Sequence, residues 1–161
     1  ERAYTRKSKF KGKGYIRAIP NHRIQRFEMG TKNGNYDYKV KLVAKNSLQI
    51  RHNSLESARM IVNRQLSKVM GASYFFKIMV YPHHALRENK ILSGGHVDRI
   101  QTGMGHPFGK VIGTAAQVLR GKEIFIALIP KEHLDSTKKA FKTAFSRLAG
   151  TYSVEVELIN N

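Results

Sequence analysis

The residues from Asn53 to Gly71 carry the pattern that most restricts how this chain can fold. Apolar side chains recur there three or four positions apart, which places them on one face of an α-helix. Asn53 followed three positions later by Glu56 predicts a capping box at the helix start, and Gly71 predicts the helix end. The predicted core stripe consists of Leu55, Ala58, Val62, Leu66 and Val69. The residues predicted to lie mostly away from it are Arg59, Arg64 and Lys68.

A second helix and several strands follow from the same kind of pattern. Residues 133–150 have helical spacing, with Leu134, Phe141, Ala144, Phe145 and Leu148 on one face. Alternating or branched and aromatic runs predict strands at Tyr36–Lys45, Tyr74–Pro82, Thr114–Leu119, Glu123–Ile129 and Tyr152–Ile159. We predict that the third and fourth of these strands form a hairpin turning at Gly121. The order of elements predicts an α+β fold, with two helices packed on an antiparallel or mixed sheet.

The net charge of the chain indicates that the protein binds an anionic partner. The chain has 29 Lys and Arg residues against 11 Asp and Glu residues, a formal net charge of +18. Such a charge destabilises a compact chain by self-repulsion unless an anionic partner, nucleic acid or a membrane surface, neutralises it. The size of the positive charge favours nucleic acid, and no run approaches the roughly 20 apolar residues of a membrane span. The apolar faces of both predicted helices are also needed for the core, which argues against membrane-surface binding.

The basic residues are concentrated at the start of the chain. The first 26 residues contain nine Lys and Arg residues and one acid, Glu1. Blocks of this kind are typical of arms that become ordered on an anionic partner. Phe10 and Tyr15 lie between the charges and could stack on unpaired bases or dock on the core. The turn signal from Gly30 to Gly34 predicts a basic arm over residues 1–34 and a single domain over 35–161.

A long internal loop over residues 93–110 is predicted to project from that domain. It contains five glycines and neither helical nor strand periodicity, and loops of this length in small domains are usually functional or disordered. Its GMGHPFGK run does not match a phosphate-binding P-loop, because the spacing differs and Val111 stands where Ser or Thr would hold magnesium. Asp98 is the only acid between Asn89 and Gly121, so paired-carboxylate catalysis has no local partner. We therefore predict that the protein is not an enzyme.

The histidines do not form a recognisable metal site. Seven are present, without HExxH or the Cys/His spacing of structural zinc, and the chain contains no cysteine. Hydrogen bonding or stacking against RNA requires no such spacing. RNA contact is therefore a better prediction than metal binding for His83, His84 and His106. We expect neither a metal nor a cofactor.

Seven runs distributed over nearly the whole chain resemble one family. That family is the archaeal and eukaryotic tenth large-subunit ribosomal protein, the counterpart of the bacterial sixteenth. The YPHHALRENK and DRIQTGM runs are the most specific. The matching runs are YTRK (Tyr4–Lys7), YIRAIP (Tyr15–Pro20), FEMG (Phe27–Gly30), IRHNSLESAR (Ile50–Arg59), YPHHALRENK (Tyr81–Lys90), DRIQTGM (Asp98–Met104) and FGKVIGTAAQV (Phe108–Val118).

The resemblance implies a hammerhead-type α+β fold and a place on the large ribosomal subunit in the cytoplasm. It further implies contact with 23S-type ribosomal RNA (rRNA), 5S-type rRNA, neighbouring large-subunit proteins and aminoacyl-tRNA. The compact chain favours an archaeal member. The loop over 93–110 matches the family's internal loop, which approaches the tRNA acceptor end. Gly105, His106 and Pro107 replace a stretch that often holds two basic residues, so Arg99 and Lys110 are the stronger candidates for phosphate contacts.

Two groups of candidate binding residues follow. The rRNA-binding group is predicted to comprise Arg6, Lys7, Lys9, Lys11, Lys13, Arg17, His22, Arg23, Arg26, Arg51, His83, His84, Arg87 and Lys90. The tRNA-site loop group is predicted to comprise Gly94, Gly95, Arg99, Gln101, Met104, His106 and Lys110. A free-standing RNA-binding or ribosome-assembly factor that uses the same surface is the alternative function.

Overall fold

The computed structural model of the protein describes residues 18–88 and 109–159. Within these ranges lie eight strands and two α-helices, with short 3₁₀ turns before and after the second helix. The elements are β1 (Glu28–Gly30), β2 (Tyr38–Ala44), β3 (Leu48–Arg51), α1 (His52–Met70), β4 (Phe75–Ile78), β5 (His84–Glu88), β6 (Lys110–Val118), β7 (Glu123–Ile129), α2 (Leu134–Ala144) and β8 (Tyr152–Leu158). The predicted α+β class is confirmed.

The larger sheet has five antiparallel strands in the order β1-β4-β7-β2-β8. Its inner face packs against α2, where the Phe141 ring lies 6.2 Å from the Phe76 ring of β4. Phe76 in turn meets Phe125 of β7 edge to face at 5.3 Å. All three side chains are completely buried, and burying an aromatic ring is worth roughly 1.5–3 kcal/mol. The core therefore lies between this sheet and the two helices.

The remaining strands form a separate sheet, so the predicted hairpin between the strands at 114–119 and 123–129 is wrong. β6 lies between β3 and β5 in a three-stranded antiparallel sheet, whereas β7 lies between β4 and β2 in the larger one. The backbone of the turn explains the switch. The Gly121 N–H donates to the Ala44 carbonyl, and the Ala44 N–H donates to the Lys122 carbonyl. The chain leaving β6 is therefore paired with the end of β2, and β7 continues along β2.

The N-cap of helix α1 is Arg51, two residues before the predicted N-cap Asn53. Asn53 is already helical, and its side-chain oxygen accepts a hydrogen bond from the Ser54 N–H. In the predicted capping box this oxygen would have accepted from the Glu56 N–H. Glu56 is ion-paired with Arg59, so the predicted capping box is absent from this helix. The predicted end is confirmed: Gly71 has φ +59° and donates its N–H to the Ser67 carbonyl.

The predicted core stripe of α1 is confirmed for its first four members and wrong for the last. Leu55, Ala58, Val62 and Leu66 are buried, but Val69 is 47% exposed and Met70 is buried instead. Four residues separate Leu66 from Met70, which keeps both on one face.

Arg59 was predicted to lie away from the core but is buried. Its guanidinium donates to both oxygens of Glu56, at 2.7 and 2.5 Å, and to the sulfur of Met29 at 3.1 Å. A buried charge requires such a paired arrangement. The contact also joins α1 to β1.

The apolar face predicted for the second helix is confirmed. Phe141, Ala144 and Leu148 are buried, and Leu134 and Phe145 pack against the core from its edge. The α-helix itself ends at Ala144, and residues 145–147 continue it as a 3₁₀ turn.

Part of the predicted arm belongs to the folded body. Ile24 and Met29 are buried in the core, and β1 pairs with β4 at the edge of the larger sheet. Gly30 has φ +85°, and a Cβ there would lie 2.0 Å from the Tyr74 carbonyl oxygen. The close approach of these two backbones therefore requires glycine at this position.

Candidate nucleic-acid interface

Eight of the predicted binding residues lie in the described part of the chain. They are His22, Arg23, Arg26, Arg51, His83, His84, Arg87 and Lys110. The others lie outside the described residues: Arg6, Lys7, Lys9, Lys11, Lys13, Arg17, Lys90, Gly94, Gly95, Arg99, Gln101, Met104 and His106.

The three-stranded sheet brings two of the predicted residues into one row. Arg51 of β3 and His84 of β5 both pair with Ala115 of β6, from opposite sides. With strands about 4.8 Å apart, their Cα atoms lie roughly 10 Å from each other. The next residues along, Ile50 and Ala116, belong to the core. Because side chains alternate between faces, Arg51 and His84 project from the opposite face, which we call the outer face of this sheet. Both side chains are half-buried there, and Ala115 between them is buried.

The other two predicted residues of this sheet lie at its far end. Arg87 pairs with Val111 after an irregularity in the β5–β6 ladder, and Glu88 pairs with Lys110. Glu88 is the one acid on these three strands, whose basic residues are Arg51, His84, Arg87 and Lys110. The smaller sheet therefore carries an excess of positive charge.

Four rings meet beside this sheet, and we call them the ring cluster: His22, Phe27, Tyr81 and His83. Phe27 stacks on Tyr81 with centroids 5.4 Å apart and planes 17° from parallel. His22 meets the Tyr81 ring edge to face at 5.1 Å, and His83 approaches it at 4.5 Å. Phe27 packs against the core, whereas Tyr81 is 46% exposed. The cluster thus has an anchored inner ring and an exposed outer part.

A buried histidine holds the chain next to this cluster. His52, the first residue of α1, accepts a hydrogen bond at Nδ1 from the Arg23 backbone N–H at 3.1 Å. Burial lowers the pKa of His52, and the nearby positive charges of Arg23 and Arg51 lower it further. The ring is therefore neutral at physiological pH and can accept this bond. Gly113 of β6 leaves room for it, since a Cβ there would lie 3.1 Å from Nε2.

Three residues of this region were absent from the sequence-based prediction. Phe27 and Tyr81 complete the ring cluster, and His52 positions Arg23. Both Phe27 and Tyr81 stand next to or close to predicted basic residues in the sequence. That proximity was the available signal, but it cannot distinguish an exposed ring from a buried one.

The outer face of the larger sheet has a different character. Its strands carry four glutamates and three lysines, and most of these form ion pairs. Lys77 lies 2.7 Å from Glu28, and Lys41 lies between Glu123, at 2.8 Å, and Glu157. Lys77 lowers the pKa of Glu28, and Lys41 lowers that of Glu123. The full set is Glu28, Glu123, Glu155 and Glu157 with Lys39, Lys41 and Lys77.

The described ranges contain neither a metal-binding group nor a membrane-spanning helix. No group of three or more His, Asp or Glu side chains in residues 18–88 and 109–159 is arranged to hold a metal ion. Neither of the two α-helices there has the length and apolar character needed to cross a membrane.

Comparison with known proteins gives a consistent result. The family model described as Ribosomal protein L16p/L10e matches residues 1–155. The chain is 46% identical over 146 residues to large ribosomal subunit protein uL16 of Hyperthermus butylicus, covering 90% of this chain and 78% of the relative. The uL16 of Staphylothermus marinus is 47% identical over 135 residues (83% and 78%). The uL16 of Sulfolobus acidocaldarius is 42% identical over 161 residues (98% and 88%). With a match of this extent and relatives from archaea, the chain belongs to the L16p/L10e family of ribosomal proteins.

Proposed function

We propose that this protein is a structural, non-catalytic constituent of the large ribosomal subunit in the cytoplasm and binds its rRNA. Membership of the L16p/L10e family is the observation that carries the proposal. The relatives are named large ribosomal subunit proteins, and a net charge of +18 suits a partner rich in phosphate. Neighbouring subunit proteins are the second class of partner.

The outer face of the three-stranded sheet and the ring cluster form the proposed rRNA-binding surface. Arg51 and Arg87 supply positive charge across the sheet, His84 supplies a ring that can hydrogen-bond, and the Arg23 and Arg26 side chains are exposed next to the rings. An Arg guanidinium can bond two phosphate oxygens at once, which fixes the protein's position on RNA. The basic block in residues 1–17 of the predicted arm is proposed to extend this surface.

The loop over residues 93–110 is proposed to approach aminoacyl-tRNA, and a contact with 5S-type rRNA is proposed for the body. The strand register supports a projecting loop, because Glu88 and Lys110 are paired neighbours in the β5–β6 ladder. The connection between them therefore starts and ends at adjacent points of the sheet. A short link can join two such points, and closure cost changes only slowly with loop length.

A charge-reversal experiment tests the rRNA-binding surface. Arg51→Glu with Arg87→Glu should weaken binding to large-subunit rRNA by about 10- to 100-fold, because two phosphate contacts become repulsive. Lys39→Glu with Lys77→Glu is the matched control, since it changes net charge equally on the outer face of the larger sheet. Filter binding at fixed salt measures both. Equal weakening by the two pairs would contradict the proposed location.

Sedimentation distinguishes the ribosomal role from the alternative of a free-standing RNA-binding or assembly factor. A structural constituent should remain with mature large subunits after a high-salt wash, in amounts near one copy per subunit. An assembly factor should be found with precursor particles and be absent from mature subunits.

The tRNA contact has its own test. Replacing Gly95–Gly109 with a short glycine-serine link should leave the protein folded and present in large subunits. Such ribosomes should accommodate aminoacyl-tRNA or form peptide bonds more slowly, and Arg99→Ala should give a weaker form of the defect. An unfolded deletion variant, or one missing from subunits, would mean that the loop supports the fold instead.

A further inference from the structure

The exposed part of the ring cluster is held in a fixed position. Tyr81 is 46% exposed, yet its chain neighbours Val80 and Pro82 are buried. Its ring stacks on Phe27, which packs against the core, and His83 approaches it at 4.5 Å. A single exposed aromatic side chain is ordinary on a protein surface. An exposed ring supported by three others is a preorganised flat surface, which loses little conformational entropy when a second flat group stacks against it.

The chain segments that bear these rings contain no acids, and the first of them contains two arginines. Residues 18–27 include Arg23 and Arg26, each next to a ring residue, and residues 79–84 end in His83 and His84. Both arginine side chains are exposed. A flat ligand that also carries negative charge on either side would therefore meet aromatic and positive groups together. An unpaired nucleotide in an RNA strand has this chemistry.

We propose that the ring cluster binds an unpaired RNA nucleobase by stacking on the exposed part formed by Tyr81 and His83, with the flanking phosphates facing Arg23 and Arg26. The inference rests on the proposed rRNA-binding function and adds the kind of nucleotide recognised at this position. Every base presents an aromatic face, so the cluster selects single-stranded over double-stranded RNA and discriminates weakly among the bases.

The test compares two RNA probes with the full-length protein. One is a single-stranded oligoribonucleotide that carries 2-aminopurine, whose fluorescence is quenched on stacking, and the other is duplex RNA with the same number of phosphates. Tyr81→Ala should weaken binding to the single strand by about 5- to 100-fold and abolish the quenching, with duplex binding unchanged. Tyr81→Phe, which keeps the ring, should behave as the wild type.

Leu119→Ala is the matched control, because Leu119 is a large apolar side chain that is 64% exposed and lies outside the ring cluster. It should bind both probes as the wild type does. Wild-type protein provides a second measurement: the His83 ring protons should shift upfield in NMR spectra when the single strand is added. Unchanged binding of both probes by Tyr81→Ala, or an equal loss for both, overturns the stacking proposal while rRNA binding stands. Failure of the wild type to bind either probe overturns both proposals.

Discussion

The outer faces of the two sheets differ in how they use charge. On the larger sheet, Lys77 pairs with Glu28 and Lys41 pairs with two further glutamates, so the charges are balanced within the chain. On the smaller sheet, Glu88 is the single acid among four basic or histidine side chains. Four of the chain's 11 acidic residues therefore lie on the strands of the larger sheet, although the net charge of the chain is +18.

Under the proposed function, stability and partner binding are therefore assigned to separate surfaces. Charges that are paired within the larger sheet affect folding but offer little to an anionic partner. The excess positive charge of the smaller sheet adds to self-repulsion until an anion binds. The two properties should therefore respond to different substitutions and conditions.

Salt concentration should separate the two surfaces most strongly. If about six to ten phosphates are neutralised, affinity for structured RNA should fall by about 10³–10⁵ between roughly 50 and 200 mM salt. The free energy of unfolding should change far less over the same range, because exposed ion pairs contribute little. Filter binding and urea unfolding in the same buffers measure the two quantities. A nearly flat salt dependence of RNA binding would contradict the assignment.

The buried ion pair that reaches the larger sheet should have the next largest effect. Glu56→Ala leaves the buried Arg59 guanidinium without its carboxylate and should lower the free energy of unfolding by about 3–5 kcal/mol. Urea unfolding measures the loss. Glu28→Ala is the control, because it breaks an exposed pair with Lys77 and should be much milder. RNA affinity of both variants should match the wild type at temperatures where they are folded.

Lowering the pH should destabilise the fold by protonating His52 at the edge of the smaller sheet. Its pKa is lowered in the folded state from the ordinary value of 6.5, mainly by burial, so protonation favours the unfolded chain. This residue should leave the free energy of unfolding unaffected above pH 6.5, the ordinary pKa of histidine. As the pH falls below that value, the free energy of unfolding should decline by at most about 1.4 kcal/mol per pH unit. The decline from this residue should stop once the pH is below its folded-state pKa.

The difference between wild type and His52→Gln in urea unfolding at several pH values isolates this contribution. Amide exchange at Arg23 should also accelerate in the wild type at low pH, because His52 then no longer accepts its N–H. An identical pH dependence in both proteins would mean that the pKa of His52 is the same in the folded and unfolded states, contrary to this prediction.

The smallest effect is expected from the ion pairs on the larger sheet. Lys41→Met keeps most of the side chain's apolar stem but removes the charge shared by Glu123 and Glu157. Because both glutamates are partly exposed to solvent, the loss should be about 1 kcal/mol or less. RNA affinity should remain unchanged. A marked loss of RNA binding would show that this face also takes part in recognition.

The sequence predicted those parts of the fold that depend on local periodicity. The stripe from Leu55 to Leu66 and the face containing Phe141 were recognised because burial follows helical spacing directly. The errors involve contacts between distant segments. Arg59 is buried because Met29, 30 residues earlier, and Glu56 surround its guanidinium. The turn at Gly121 is paired with Ala44, which no local pattern could indicate.

The candidate site was predictable in residue type and less so in arrangement. His22 and His83 were both among the predicted rRNA-binding residues, and the fold brings both to Tyr81. Arg51 and His84 meet on either side of Ala115 because the strand register places them there. Such meetings depend on sheet order, which periodicity does not specify. His52 was overlooked because its role is to accept a backbone hydrogen bond from Arg23.

The position of β8 has a consequence for how the protein is made. This strand pairs along its whole length with β2, so residues 152–158 complete a sheet that residues 38–44 began. A chain emerging from a ribosome folds as its segments become available, and pairings distant in sequence form late and slowly. Until β8 has been synthesised, one edge of β2 carries unpaired backbone groups that can attract other strands. The newly made chain must therefore avoid aggregation through this edge from the time β2 is synthesised until β8 is available.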